Sequence, residues 1–125
     1  MKCFRLSWTA AAAIAIIIGW VAPVEASELR CGWLHNPTPA NWWLDDRDGS
    51  WEISVQGGGS ARGMENLPDV PERDYVRTNG NYGYSCACLD VTTTPRFSIL
   101  TVRTSESLPL KQCLEDPNLP DVNWK

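Results

Sequence analysis

Tyr82-Gly83-Tyr84-Ser85-Cys86-Ala87-Cys88-Leu89 is the stretch that decides the fold. Read as a strand, it sends successive side chains to opposite faces, so Cys86 and Cys88 point the same way. Two such neighbours hardly bond each other, because a disulfide needs a particular Cα separation and torsion. Each therefore takes a distant partner, Cys31 on one side of the sequence or Cys113 on the other. Of the two pairings left, we expect Cys31–Cys86 with Cys88–Cys113. A bridge closing a loop of dozens of residues stabilises a domain by about 4 kcal/mol in the chain-entropy treatment.

The same strand runs on through Thr92. Tyr82, Tyr84, Cys86 and Cys88 share one face, while Ala87, Leu89 and Val91 share the other. Apolar residues on both faces predict a central strand covered on both sides. Upstream, Asn41–Asp45 and Ser50–Val55 flank Asp46-Arg47-Asp48-Gly49, where Asp-Gly supplies the positive-φ turn of a hairpin. Leu29–Leu34 reads as a first strand that ends at His35-Asn36-Pro37-Thr38-Pro39, because two prolines oppose regular pairing. Gln56–Glu72, with Gly57-Gly58-Gly59 and Pro68 and Pro71, reads as a long mobile loop. Arg73–Thr78 forms a short strand before the Asn79-Gly80 turn, and Arg96–Arg103 returns antiparallel after Pro95. Leu108–Asp116 is a short strand or a turn or two of helix stopping before Pro117. The expected fold is mainly β, a small antiparallel sandwich or open barrel stapled by two disulfides.

The amino-terminal residues 1–26 read as a secretory signal peptide. Lys2 and Arg5 precede an apolar run from Thr9 to Val21, and Val24-Glu25-Ala26 offers a cleavage site. The run falls short of a membrane span, so no membrane insertion is expected once the leader is cut. Cys3 leaves with it, and the remaining cysteines, Cys31, Cys86, Cys88 and Cys113, close evenly in pairs. Residues 27–125 then form a single disulfide-stabilised β domain in the periplasm or extracellular space. Net charge over the whole chain is −4 with no Lys/Arg cluster, which argues against a nucleic-acid partner.

Three chemistries compete with plainer structural readings. His35 with Asp45 or Asp48 is a possible hydrolase pair, but no Gly-x-Ser-x-Gly elbow frames a nucleophile. Cys86 and Cys88, with His35 or Met64, suit a soft metal or a redox couple only if their thiols are free. The acidic run Asp45 to Glu52 lacks calcium-loop spacing and is explained by a hairpin turn. No cofactor and no metal are expected.

The aromatic surplus speaks for binding. Trp33, Trp42, Trp43, Trp51 and Trp124 lie beyond the leader, with Tyr75, Tyr82 and Tyr84. Packing accounts for several of them. Trp42 and Trp43 are adjacent, however, and on a strand they face opposite ways, which leaves one outside the core. Flat rings edged by turn amides suit sugar faces or a protein hot spot. The expected ligand contacts are Trp42, Trp43, Asn36, Asn41, Tyr82 and Asn81. The expected role is a small exported binding module whose partner is an envelope glycan or an exported protein, an inhibitor or immunity-type protein being one form of it.

Several motifs stand together in this chain: Arg30-Cys31-Gly32-Trp33-Leu34-His35-Asn36-Pro37-Thr38-Pro39-Ala40-Asn41, Trp43-Leu44 with Asp46, Trp51 and Ile53, Tyr75-Val76-Arg77-Thr78-Asn79, Tyr82-Gly83-Tyr84 with Cys86-Ala87-Cys88, and Leu108-Pro109-Leu110 with Cys113. In these the chain resembles domain-of-unknown-function family 4087, a group of short exported bacterial proteins. The resemblance implies a bacterial envelope protein with the four cysteines in its pattern. It implies no activity, ligand or catalytic residue.

Overall fold

The computed structural model describes residues 11–20 and 26–122. Lys2, Cys3, Arg5, the Val24-Glu25 side of the expected cleavage site and Trp124 lie outside them. Among the described residues, no helix is long and apolar enough to cross a membrane.

Among the described residues, six strands form one antiparallel sheet: β1 (Glu28–Thr38), β2 (Asn41–Asp46), β3 (Gly49–Ser54), β4 (Tyr75–Asn79), β5 (Tyr82–Thr93) and β6 (Ile99–Leu108). The order is β3-β2-β1-β5-β4, with β6 also paired to β5. β4 and β6 lie end to end along one edge of β5, against Tyr82–Ser85 and Cys86–Thr93 respectively. β5 is thus the central strand, as its two apolar faces require. A short helix, α1 (Leu110–Leu114), follows β6.

One face of the curled sheet carries the main core of Leu34, Leu44, Trp51, Ile53, Ala61, Ala87, Leu89, Val91, Ile99 and Val102. The other carries a smaller cluster, Trp33, Cys86 and Cys113, on which Leu108, Leu110, Leu119 and Val122 pack. Trp33 Nε1 donates to the Pro120 carbonyl at 3.2 Å, which fastens the C-terminal tail over that face.

The segment expected as a mobile loop is instead part of the wall. Val55 N bonds Gly59 O and Gly58 N bonds Val55 O, so the glycines make a tight turn. Ala61 N then bonds Ile53 O at 2.8 Å, Arg62 N bonds Leu100 O at 2.9 Å and Val102 N bonds Arg62 O at 2.8 Å. Residues 60–62 thereby bridge the open seam between β3 and β6. Two 3-10 turns, Met64–Asn66 and Glu72–Asp74, lead from there to β4. The apolar Ala61, Met64 and Leu67 supply the burial that orders this stretch despite its glycines.

β1 also runs past its expected end, through Pro37 to Thr38. The register between His35 and Thr38 shifts by a bulge, a position that tolerates a residue without an N–H. β6 starts at Ile99 and extends to Leu108, later than expected, because Pro95–Ser98 forms the turn.

The disulfides are Cys31–Cys88 and Cys86–Cys113, which overturns the expected pairing. The β1–β5 register is the cause. It sets Cys31 directly opposite Cys88 and fills the place opposite Cys86 with Trp33, so Cys86 reaches over to α1. Both sulfurs of the Cys86/Cys88 pair are thus occupied, and no free thiol couple stands there. Two disulfides suggest an oxidising, extracytoplasmic environment.

The acidic hairpin turn is an ion-paired node. Arg30 lies with its guanidinium carbon 3.8 Å from the Trp51 ring centroid. It bonds Asp46 at 2.8 Å, Asp48 at 2.9 Å and Glu28 at 3.0 Å. Burial disfavours its charge, but the three carboxylates outweigh burial and raise its pKa, so it stays protonated. Asp46 Oδ1 meanwhile accepts from the backbone of Asp48 and Gly49 and from Trp51 Nε1. These carboxylates are spent on the fold.

Candidate functional site

The face of the sheet opposite the main core bears a row of rings. β2, β1 and β5 are neighbours, and their register sets His35 opposite both Trp43 and Tyr84. His35 stacks on Trp43 with ring centroids 5.1 Å apart and planes inclined by 21°. It lies 5.7 Å from Tyr84, whose ring meets Trp33 edge-on at 5.4 Å. Histidine is the shortest of these side chains, so between Trp43 and Tyr84 it forms the floor of a notch. The resulting cleft has a volume of about 460 Å³ and is lined by His35, Pro37, Trp43, Val76, Arg77, Thr78, Gly83 and Tyr84.

Two features bring β4 close enough to form the far wall. Gly83 has no side chain, and a Cβ there would stand 1.8 Å from the Val76 carbonyl oxygen. Asn79 Nδ2 also donates to the Pro37 carbonyl at 3.2 Å, which ties the β4–β5 turn to the β1–β2 turn. At the rim, the exposed Arg77 bonds Glu72 at 2.6 Å.

Further along the same face, His35 Nε2 lies 3.1 Å from Asp45 Oδ2. Burial alone pushes the Asp45 carboxyl up, but hydrogen bonds from His35 and Ser50 outweigh it and hold it below the ordinary carboxylate range. The pair therefore favours an ionised Asp45 that fixes the imidazole in the row. His35 is 4% exposed.

A family model described as "Protein of unknown function (DUF4087)" matches residues 25–120. The chain belongs to that family. No curated protein and no solved structure matches it. In this DUF4087 chain the site is thus defined by geometry alone.

The six residues expected as contacts are only partly assembled. Trp43 lines the cleft. Trp42 turns to the opposite face and packs on the main core, as adjacent strand residues must. Asn36 gives its amide to the backbone carbonyls of Thr38 and Asn41, and Asn41 bonds Thr38 and accepts from Gln56 N. Both asparagines hold the β1–β2 turn. Tyr82 and Asn81 sit at the β4–β5 turn, where the Asn81 carbonyl accepts from the Tyr75 hydroxyl at 3.0 Å.

Sequence reasoning missed Val76, Arg77 and Tyr84 as lining residues and His35 as the cleft floor. Tyr84 was within reach, since it shares a face with Cys86 and Cys88. Val76 and Arg77 carried no local signal, because their place depends on how closely β4 approaches β5.

Proposed function

We propose that the protein is an exported binding module, resident in the periplasm or extracellular space, whose cleft holds a ring-bearing ligand of the cell envelope. One observation carries the reading: Trp43 and Tyr84 flank a recessed His35 in a cleft whose rim carries a guanidinium and a hydroxyl. Aromatic walls with a few polar groups are the usual makeup of a small-ligand site, and 460 Å³ lies within the usual range. The rings are held in advance by stacking and by the Asp45–His35 pair, so little ordering is needed on binding.

The test is capture of envelope material on the immobilised mature chain. Trp43→Ala and Tyr84→Ala should each weaken capture by about tenfold or more while far-UV circular dichroism is unchanged. Capture unaffected by both substitutions would place the site elsewhere and sink the proposal.

A second reading, a hydrolase using His35 with Asp45, is favoured by the 3.1 Å contact between them. It is opposed by the burial of the imidazole and by the lining of the cleft, whose hydroxyls belong to Thr78 and Tyr84. Turnover of envelope substrates that vanishes in His35→Ala would establish it.

A further inference from the structure

We propose that the site continues across Trp43 into a second recess, and that the two together hold a neutral linear oligosaccharide spanning more than one ring. This rests on the reading of the cleft as a binding site and extends it.

Trp43 lines both concavities: the cleft already described and a neighbouring recess of about 360 Å³ on the β3 side. Trp43 thus borders both. The second recess is lined by Phe97 in addition to Trp43, with the core-packed Trp42 also touching it and Glu52, Arg96 and Ser98 among its polar groups. Phe97 is 44% exposed and sits at φ +58, a conformation uncommon for a residue with a side chain. Its ring lies 4.6 Å from Trp51, which anchors it as a wall.

The chemistry of both recesses alternates flat apolar faces with hydrogen-bonding groups. A pyranose presents the same alternation, with a C–H face and a rim of hydroxyls. Charge narrows the class. Glu52 and Arg96 bring opposite signs to the second recess, and Arg77 at the first is already paired with Glu72. A polyanion meets no uniform positive field here. An extended peptide would need free main-chain groups beside the recess. On β3 these are engaged, since Glu52 N donates to Phe97 O at 2.9 Å and Ile53 O accepts from Ala61 N. A neutral glycan bound through ring faces and side-chain hydrogen bonds fits what is left. Amide-bearing sugars suit it further, because the Glu52 carboxylate accepts an N–H and the Arg96 guanidinium donates to a carbonyl.

The experiment is calorimetric titration of the mature, disulfide-intact chain with β-1,4-linked N-acetylglucosamine oligomers from the monosaccharide to the hexasaccharide. Cello-oligosaccharides of the same lengths serve as the amide-free series. Affinity should rise about tenfold or more from the monosaccharide to the trisaccharide and then level off, with the amide-bearing series the tighter. Glu52→Gln and Arg96→Gln should each flatten that rise, and Trp43→Ala should abolish binding at every length. Length-independent affinity, or a rise untouched by Glu52→Gln and Arg96→Gln, would overturn the second recess and leave a single-ring site standing. If no oligosaccharide binds while Trp43-dependent capture of envelope material persists, the glycan assignment fails and the binding-module reading survives. Loss of both would end both.

Discussion

Cys31 faces Cys88 directly across the β1–β5 ladder and is exposed, whereas Cys113 and Cys86 are bonded in the interior. Thiol–disulfide exchange requires a thiolate to reach a sulfur. Limited reduction, alkylation and peptide mapping should therefore label Cys31 and Cys88 well before Cys86 and Cys113. Equal labelling of all four at early times would show that the domain opens globally before either bridge is attacked.

Asp46 is the keystone of the node around Arg30. Its side chain is 3% exposed, and it serves Arg30, Trp51 and two backbone N–H groups at once. Asp46→Ala leaves a guanidinium and an indole N–H short of partners, which should cost about 3–5 kcal/mol in urea unfolding. Asp46→Asn keeps one acceptor oxygen and should cost less. A loss below about 1 kcal/mol in Asp46→Ala would mean the pair behaves as a surface ion pair.

Asp45 gives the fold a defined acid sensitivity. Its folded-state pKa lies below the unfolded one, because the His35 and Ser50 hydrogen bonds outweigh burial. The stabilisation is therefore complete above the unfolded-state pKa and disappears as pH falls through the folded-state value. Glu28, bonded to Thr93 and to Arg30, is shifted the same way. Thermal unfolding temperature should hold from neutrality to about pH 5 and drop below it. Asp45→Asn should lower it at neutral pH and flatten the acid drop; an unchanged acid slope would acquit this carboxylate.

Two glycines set how closely strands approach. A Cβ on Gly32 would stand 2.0 Å from the Asp45 carbonyl oxygen, and one on Gly83 would stand 1.8 Å from that of Val76. Both obstacles are backbone, so neither yields easily. Gly32→Ala and Gly83→Ala should each destabilise by about 2 kcal/mol or more. Gly59→Ala, with no atom within 4 Å, should be nearly neutral and serves as the control. Three equal values would show that the strand separations are softer than the geometry implies.

Features written in neighbouring residues were legible. Asp48-Gly49 announced the β2–β3 turn, and the two-faced apolar pattern from Tyr82 announced the central strand. The shared face of Cys86 and Cys88 was also correct, as was the divergence of Trp42 from Trp43. Their partners were not legible, because register across β1 and β5 is set by distant packing. The bulge beside Pro37 shows why. The turn pairs Thr38 with Asn41, and an unbroken ladder from there would oppose His35 to Leu44. The bulge shifts the pairing by one, which sends Leu44 to the core beside Leu34 and brings Trp43 onto His35. The cleft exists because of that slip. The backbone bonds of the turn asparagines were not legible for a related reason, since an amide beside proline serves its own backbone as readily as a ligand.

β5 carries one sulfur of each cross-link and gives three strands their hydrogen-bonding partner. It begins only at Tyr82, so β1, already paired with β2, must wait for its second mate far along the chain. Such high-separation pairing makes folding late and slow. A nascent polypeptide emerging amino end first thus holds its early hairpins without the strand that backs them. The sheet and both cross-links close only when the last third of the chain arrives.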